Sequence, residues 1–173
     1  MSVIEEVIQE DRLKFTFPAG SMASQYDAWS HYRNQFNAAF GGTKAVDVVY
    51  ADGDTAWLIE VKDYRTDQRT KSGDLAEEVA LKVRDTMAGL ISAALHANDK
   101  EEKRLASALL RKRTWRVVLH LEVPTNRSRL RRSAIEPDKV LLQLKRLVRA
   151  VDLHPVVVDQ HSIAPGMNWA VQG

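Results

Sequence analysis

Three ionisable side chains interrupt two runs that are otherwise apolar: Asp47 in the run from Val46 to Tyr50, and Glu60 with Lys62 in the run that begins at Trp57. Successive residues of a strand point to opposite faces, so Glu60 and Lys62 share one face. Asp52-Gly53-Asp54 between the runs supplies turn chemistry, which predicts a hairpin. A four-residue turn from Asp52 to Thr55 pairs Ala51 with Ala56 and sets Asp47 opposite Glu60; a two-residue turn sets Asp47 opposite Leu58, with Glu60 its diagonal neighbour. Both registers let Asp47 share the face of Glu60 and Lys62. Two carboxylates held close repel one another and lose hydration, so a proton or a cation must sit between them. Hard oxygen ligands at a sheet edge suit Mg2+ or Mn2+. The other face, with Trp57, Ile59 and Val61 beside Val46, Val48 and Tyr50, reads as core. Val49 and Leu58 make the charged face partly apolar as well, so both faces are expected to be covered.

The pattern of Asp47, twelve intervening residues and Glu60-Val61-Lys62 resembles the core of the PD-(D/E)XK nuclease superfamily, with Val46 where the name has proline. The resemblance implies a restriction-endonuclease-like α/β core, a mixed central β-sheet flanked by helices, here with a helix and a strand appended at the C-terminus. It implies Asp47 and Glu60 as ligands of Mg2+ or Mn2+, the Val61 carbonyl as a third ligand, and Lys62 as the cation beside the attacking water. The activity so implied is hydrolysis of phosphodiester bonds in DNA, with RNA as second choice, and a homodimer would suit cleavage of both strands of a duplex. Two rival readings stand beside it. One is a catalytically silent module of the same fold that binds nucleic acid or a protein; the other is a structural ion cluster.

The elements that must position these groups are legible from periodicity. Val3, Ile4, Val7 and Ile8 recur at helical spacing and predict a short N-terminal helix, and Leu13–Phe17 alternates as a strand. Tyr26, Trp29, Tyr32, Phe36 and Phe40 predict an amphipathic helix over Met22–Phe40 whose aromatic stripe is core rather than a base-stacking surface. Its one acid, Asp27, is a weak candidate for the metal site. Superfamily members usually pair a third strand with the hairpin; Leu13–Phe17 or a piece near Phe36–Phe40 could supply it. Gly41-Gly42-Thr43-Lys44 lacks the phosphate-loop spacing and reads as a helix end and turn.

Ser72 or Asp74 caps a long helix whose apolar face runs from Leu75 to Ala94. Glu78 and Lys82, one turn apart, read as an ordinary surface pair on it. A polar linker from His96 to Lys103 precedes a short helix over Leu105–Leu110. Trp115–Val123 is a strand, with His120 and Glu122 as candidates to stand beside the site. Pro137 opens a further helix, Val156–Val158 is a short buried strand, and the tail from His161 reads as irregular.

At 173 residues the chain suits a single domain, and the absence of cysteine excludes disulfides and thiol chemistry. The acidic start, MSVIEEVIQE, is unlike a secretory leader and no run has the length of a membrane span, so a cytoplasmic protein is expected. The net charge of +2 conceals a lopsided distribution. Arg111, Lys112, Arg113, Arg116, Arg127, Arg129, Arg131 and Arg132 face only Glu122 within their stretch. With Arg65, Arg69 and Lys71 they are the candidates for phosphate contact, and all but Arg116 are assigned to a nucleic-acid surface.

Overall fold

The computed structural model describes residues 5–124 and 135–173. In chain order the elements are β1 (Glu6–Glu10), β2 (Leu13–Phe17), β3 (Met22–Gln25), β4 (Val48–Asp52), β5 (Thr55–Asp63), α1 (Leu75–His96), α2 (Lys100–Leu110), β6 (Thr114–Glu122), α3 (Pro137–Leu147), β7 (Val156–Val158) and β8 (Ala170–Gln172). Between β3 and β4 the chain makes a 3-10 turn at Tyr26–Ala28, a π-helical turn at Tyr32–Phe36 and a further turn at Ala39–Gly41. The expected mixed α/β architecture is present. A five-stranded sheet of order β3-β4-β5-β6-β7 has helices on one face, and a three-stranded sheet β1-β2-β8 lies over the other.

The register pairs Ala51 with Ala56 and also Asp52 with Thr55, so the connection tightens to Gly53-Asp54. Gly53 has φ 48°, a left-handed conformation that glycine adopts without a Cβ clash. The ladder ends at Val48 and Ile59, and one more step along it brings Asp47 opposite Glu60. β6 runs parallel to β5 with Val61 beside His120, and β7 runs parallel to β6.

The two cores follow the alternation of these strands. Val49, Leu58, Val117, Leu119 and Leu121 meet Val79, Val83 and Leu90 of α1 and Leu144 of α3 on the helix side. Val48, Tyr50, Trp57, Ile59 and Val61 meet Phe15, Phe17 and Trp169 on the other. Val46, expected with the second group, packs in the first, because the chain turns before β4 and its amide donates to Thr86 Oγ1 at 3.0 Å.

Four expected elements differ. Val3 and Ile4 of the expected N-terminal helix lie outside the described residues; Val7 and Ile8 belong to the strand β1, pairing across a hairpin with Thr16 and Phe15 of β2, because tertiary pairing overrides a short helical spacing. The helix over Met22–Phe40 is β3 followed by single turns. The third strand beside the hairpin is β3, not Leu13–Phe17, which belongs to the smaller sheet, nor Phe36–Phe40. The tail contains β8, which pairs with β2. Among the described residues, no helix is long and apolar enough to cross a membrane.

Candidate functional site

Asp47, Glu60 and Lys62 do converge, at the end of the hairpin away from its turn. Glu60 is fully buried and its Oε1 accepts from two ammonium groups, Lys62 at 2.6 Å and Lys82 at 2.5 Å. Lys82 also stands 3.8 Å from Asp47 Oδ1, while Asp47 Oδ2 accepts from the Val61 amide at 2.6 Å. The second Glu60 oxygen is buried without a hydrogen-bond partner among the described residues. Burial and the charge of Asp47 outweigh the two lysines and push the Glu60 carboxyl up to about 7, near the point of holding a proton at neutral pH.

α1 supplies site residues where a surface pair was the favoured expectation. Glu78 and Lys82 are not a surface pair. Lys82 reaches across to the carboxylates of the sheet, and Glu78 takes Arg69 at 2.9 Å, Lys71 at 3.2 Å and Lys62 at 3.8 Å. Burial acts to raise Glu78, but these cations prevail and hold it at about 2. The available signal was their spacing: Val79 and Val83 are core, so Glu78 and Lys82, each one residue earlier, flank the buried stripe. Glu10 and Asp27 complete the electrostatic surroundings. Burial, then Asp47 and Asp27, raise Glu10 to about 7, and burial with Asp47 raises Asp27. Gln25 Nε2 donates to Glu10 Oε2 at 3.0 Å.

The two carboxylates expected to hold Mg2+ or Mn2+, Asp47 and Glu60, are met by lysine in this structure. Among the described residues no group of three His, Asp or Glu is placed to hold a metal ion. Lys82 occupies the position between Asp47 and Glu60 that a cation would take, and Val61 contributes its amide to Asp47. The geometry is a network neutralised by its own side chains, joining β4, β5 and α1.

His120 and Glu122 stand on the strand beside Glu60 but on the opposite face, because Val61 and not Glu60 lies next to His120. Burial holds His120 below the usual imidazole range, and its Nε2 bonds Glu122 Oε1 at 2.9 Å. A neutral imidazole facing an acceptor-only carboxylate donates from Nε2. The pair supports the second core beside Phe15, whose ring meets His120 edge-on.

The candidate phosphate-binding residues divide. Arg65 is bidentate to Asp63, at 2.9 and 2.8 Å, and this contact holds the Asp63 carboxyl at about 2. Arg69 and Lys71 bind Glu78. Arg116 pairs with Asp152 at 3.2 Å and covers the Trp57 ring. Arg111 and Arg113 are exposed, and Lys112 Nζ donates to Gly53 O at 2.5 Å. This run enters β6 at the turn end of the sheet, about 17 Å along the strand from Glu60. Arg127, Arg129, Arg131 and Arg132 lie outside the described residues.

No family model and no solved structure matches the chain. A curated protein does. It is the cysteine–tRNA ligase of Neisseria meningitidis serogroup A, 33% identical over an alignment of 153 positions that spans 71% of this chain and 22% of the ligase. The chain therefore spans about a fifth of the length of the relative it matches. This finding corrects the expected activity. The nuclease reading, with its hydrolase, DNA-binding and magnesium assignments, gives way to a relationship with part of a protein named as a tRNA ligase.

Proposed function

We propose that this chain is an RNA-contacting domain related to a segment of a cysteine–tRNA ligase, with transfer RNA as its partner. The 33% identity spread over 71% of the chain carries the reading. In this proposal the chain keeps the hairpin that resembles the PD-(D/E)XK superfamily, while the Asp47, Glu60, Lys62 and Lys82 network serves to lock α1 onto the sheet. The exposed Arg111 and Arg113 supply phosphate contacts; arginine suits that role because its planar guanidinium meets phosphate oxygens in pairs.

The test is fluorescence anisotropy of the intact chain with labelled transfer RNA over a range of salt, with duplex DNA as the comparison. Binding to transfer RNA should weaken linearly in log salt. Joint replacement of Arg111 and Arg113 by Ala should shallow that slope by roughly one unit for each phosphate that no longer meets a guanidinium. Absence of transfer RNA binding at low salt, or tighter binding to DNA, would reject the reading.

A further inference from the structure

Most of the aromatic series that leads into the hairpin is buried: Tyr26 and Phe36 are each at most 5% exposed, and Trp29 is 4% exposed. Phe40 is the exception, at 89%. Its backbone is also held in the left-handed region, at φ 55° and ψ 26°, where a bulky side chain is disfavoured. Gly41 and Gly42 follow at φ 82° and 118°. This turn is anchored beneath: Thr43 Oγ1 donates to Phe36 O at 2.9 Å, Tyr32 Oη donates to Thr43 O at 3.1 Å, and the Lys44 amide donates to Asp85 Oδ2 at 2.9 Å. A firmly held turn thus maintains a strained residue whose ring points mainly into water. Strain of this kind marks positions kept for contact rather than for stability.

The surroundings indicate what the ring meets. Arg33 stands exposed in the π-helical turn that leads to Phe40, and Lys44 is exposed four residues beyond it, at most about 14 Å along the chain. Arg84, 71% exposed, pairs with the same Asp85 that holds the Lys44 amide. Lys44 also borders a depression of about 320 Å³ whose wall joins Arg69, Lys71 and Ser72 to the acids Asp74, Glu77 and Glu78. An exposed aromatic ring on a segment flanked in sequence by the exposed Arg33 and Lys44 suits an unpaired base and its phosphates, because every base offers a π-face and the cations follow the backbone.

We infer that Phe40 is a stacking platform for an unpaired nucleotide of RNA, with Lys44 and Arg84 holding the adjoining phosphates. The inference rests on the RNA reading above and adds the place of contact. Asparagine tolerates the left-handed conformation better than phenylalanine, so Phe40→Asn should raise the melting temperature while weakening RNA binding. A contact that served folding would move both in the same direction.

The experiment measures anisotropy of labelled oligoadenylate and of transfer RNA with the wild type, Phe40→Ala, Phe40→Asn and Phe40→Trp, with thermal melts and sedimentation velocity on each protein. The expected result is a loss of roughly five- to a hundred-fold in oligoadenylate affinity for Phe40→Ala and Phe40→Asn, and retention in Phe40→Trp. If transfer RNA binds the wild type and Phe40→Ala alike, the platform is rejected while the RNA reading stands. If no RNA binds at all, both fail. Self-association of the wild type that Phe40→Ala abolishes, without RNA binding, would replace the platform by a protein interface.

Discussion

Lys82 shows why the identity of a buried neighbour decides what a carboxylate can do. Glu60 is completely buried, and an ionised carboxylate in such a place persists only with partners. Lys82 and Lys62 meet the same oxygen, which leaves the other without a partner among the described residues. Lys82→Met should therefore cost about 3 kcal/mol in urea denaturation, because removing one member of a buried ion network strands the remaining charge. The double variant Lys82→Met with Glu60→Gln should recover most of that loss, since it removes the stranded charge too. Equal stability of the Lys82→Met variant and the wild type would show that the lysine is not holding the carboxylate.

At the level of elements, α1 is held to the sheet side both by its apolar stripe and by this charge network. Asp74 caps its start, accepting from the amides of Ala76 and Glu77. Gly89, in its middle, is where the π-helical turn packs. A Cβ there would collide with the Tyr26 hydroxyl and stand 3.1 Å from the Phe36 ring. Alanine is the better helix former, yet Gly89→Ala should lower stability by about 1 to 3 kcal/mol, the ordinary cost of overpacking. Chemical denaturation of the variant checks this; a gain in stability would mean that the turn is free to shift.

For the whole molecule, opposing carboxyl shifts shape the pH dependence of folding. Glu60 and Glu10 sit near 7 in the folded chain against an ordinary 4.5, so they bind protons more tightly folded than unfolded. Their contribution is fully present below 4.5 and is lost as pH rises through about 7. Glu78 and Asp63 act the other way: each sits at about 2, and its contribution is present above its ordinary value and lost as pH falls through about 2. The stability maximum is therefore expected on the acid side of neutrality. Urea midpoints should fall between pH 4.5 and about 7, and Glu60→Gln should flatten that decline. A midpoint that instead climbs across this window would contradict a Glu60 carboxyl raised by burial.

Local sequence was enough for the hairpin, the sharing of a face by Glu60 and Lys62, the long capped helix, the strand expected at Trp115–Val123 and found at Thr114–Glu122, and the helix opened by Pro137. Each of these rests on local periodicity, turn residues or caps, which the chain carries within a few positions. Tertiary structure decided what short local signals could not. Val7 and Ile8 suit either a helix or a strand, and pairing with Leu13–Phe17 settled it. The aromatic spacing from Tyr26 to Phe40 is helical, but the packing of Gly89 and the anchored turn at Thr43 broke it into single turns and left Phe40 outside the core. His120 went to the face opposite Glu60 through the register of a parallel pair. Above all, Lys82 came from a helix, twenty-two residues beyond Glu60, to neutralise it. Spacing along α1 sets Lys82 beside the buried stripe but not opposite any particular carboxylate; the packing of α1 on the sheet places that ammonium between Asp47 and Glu60.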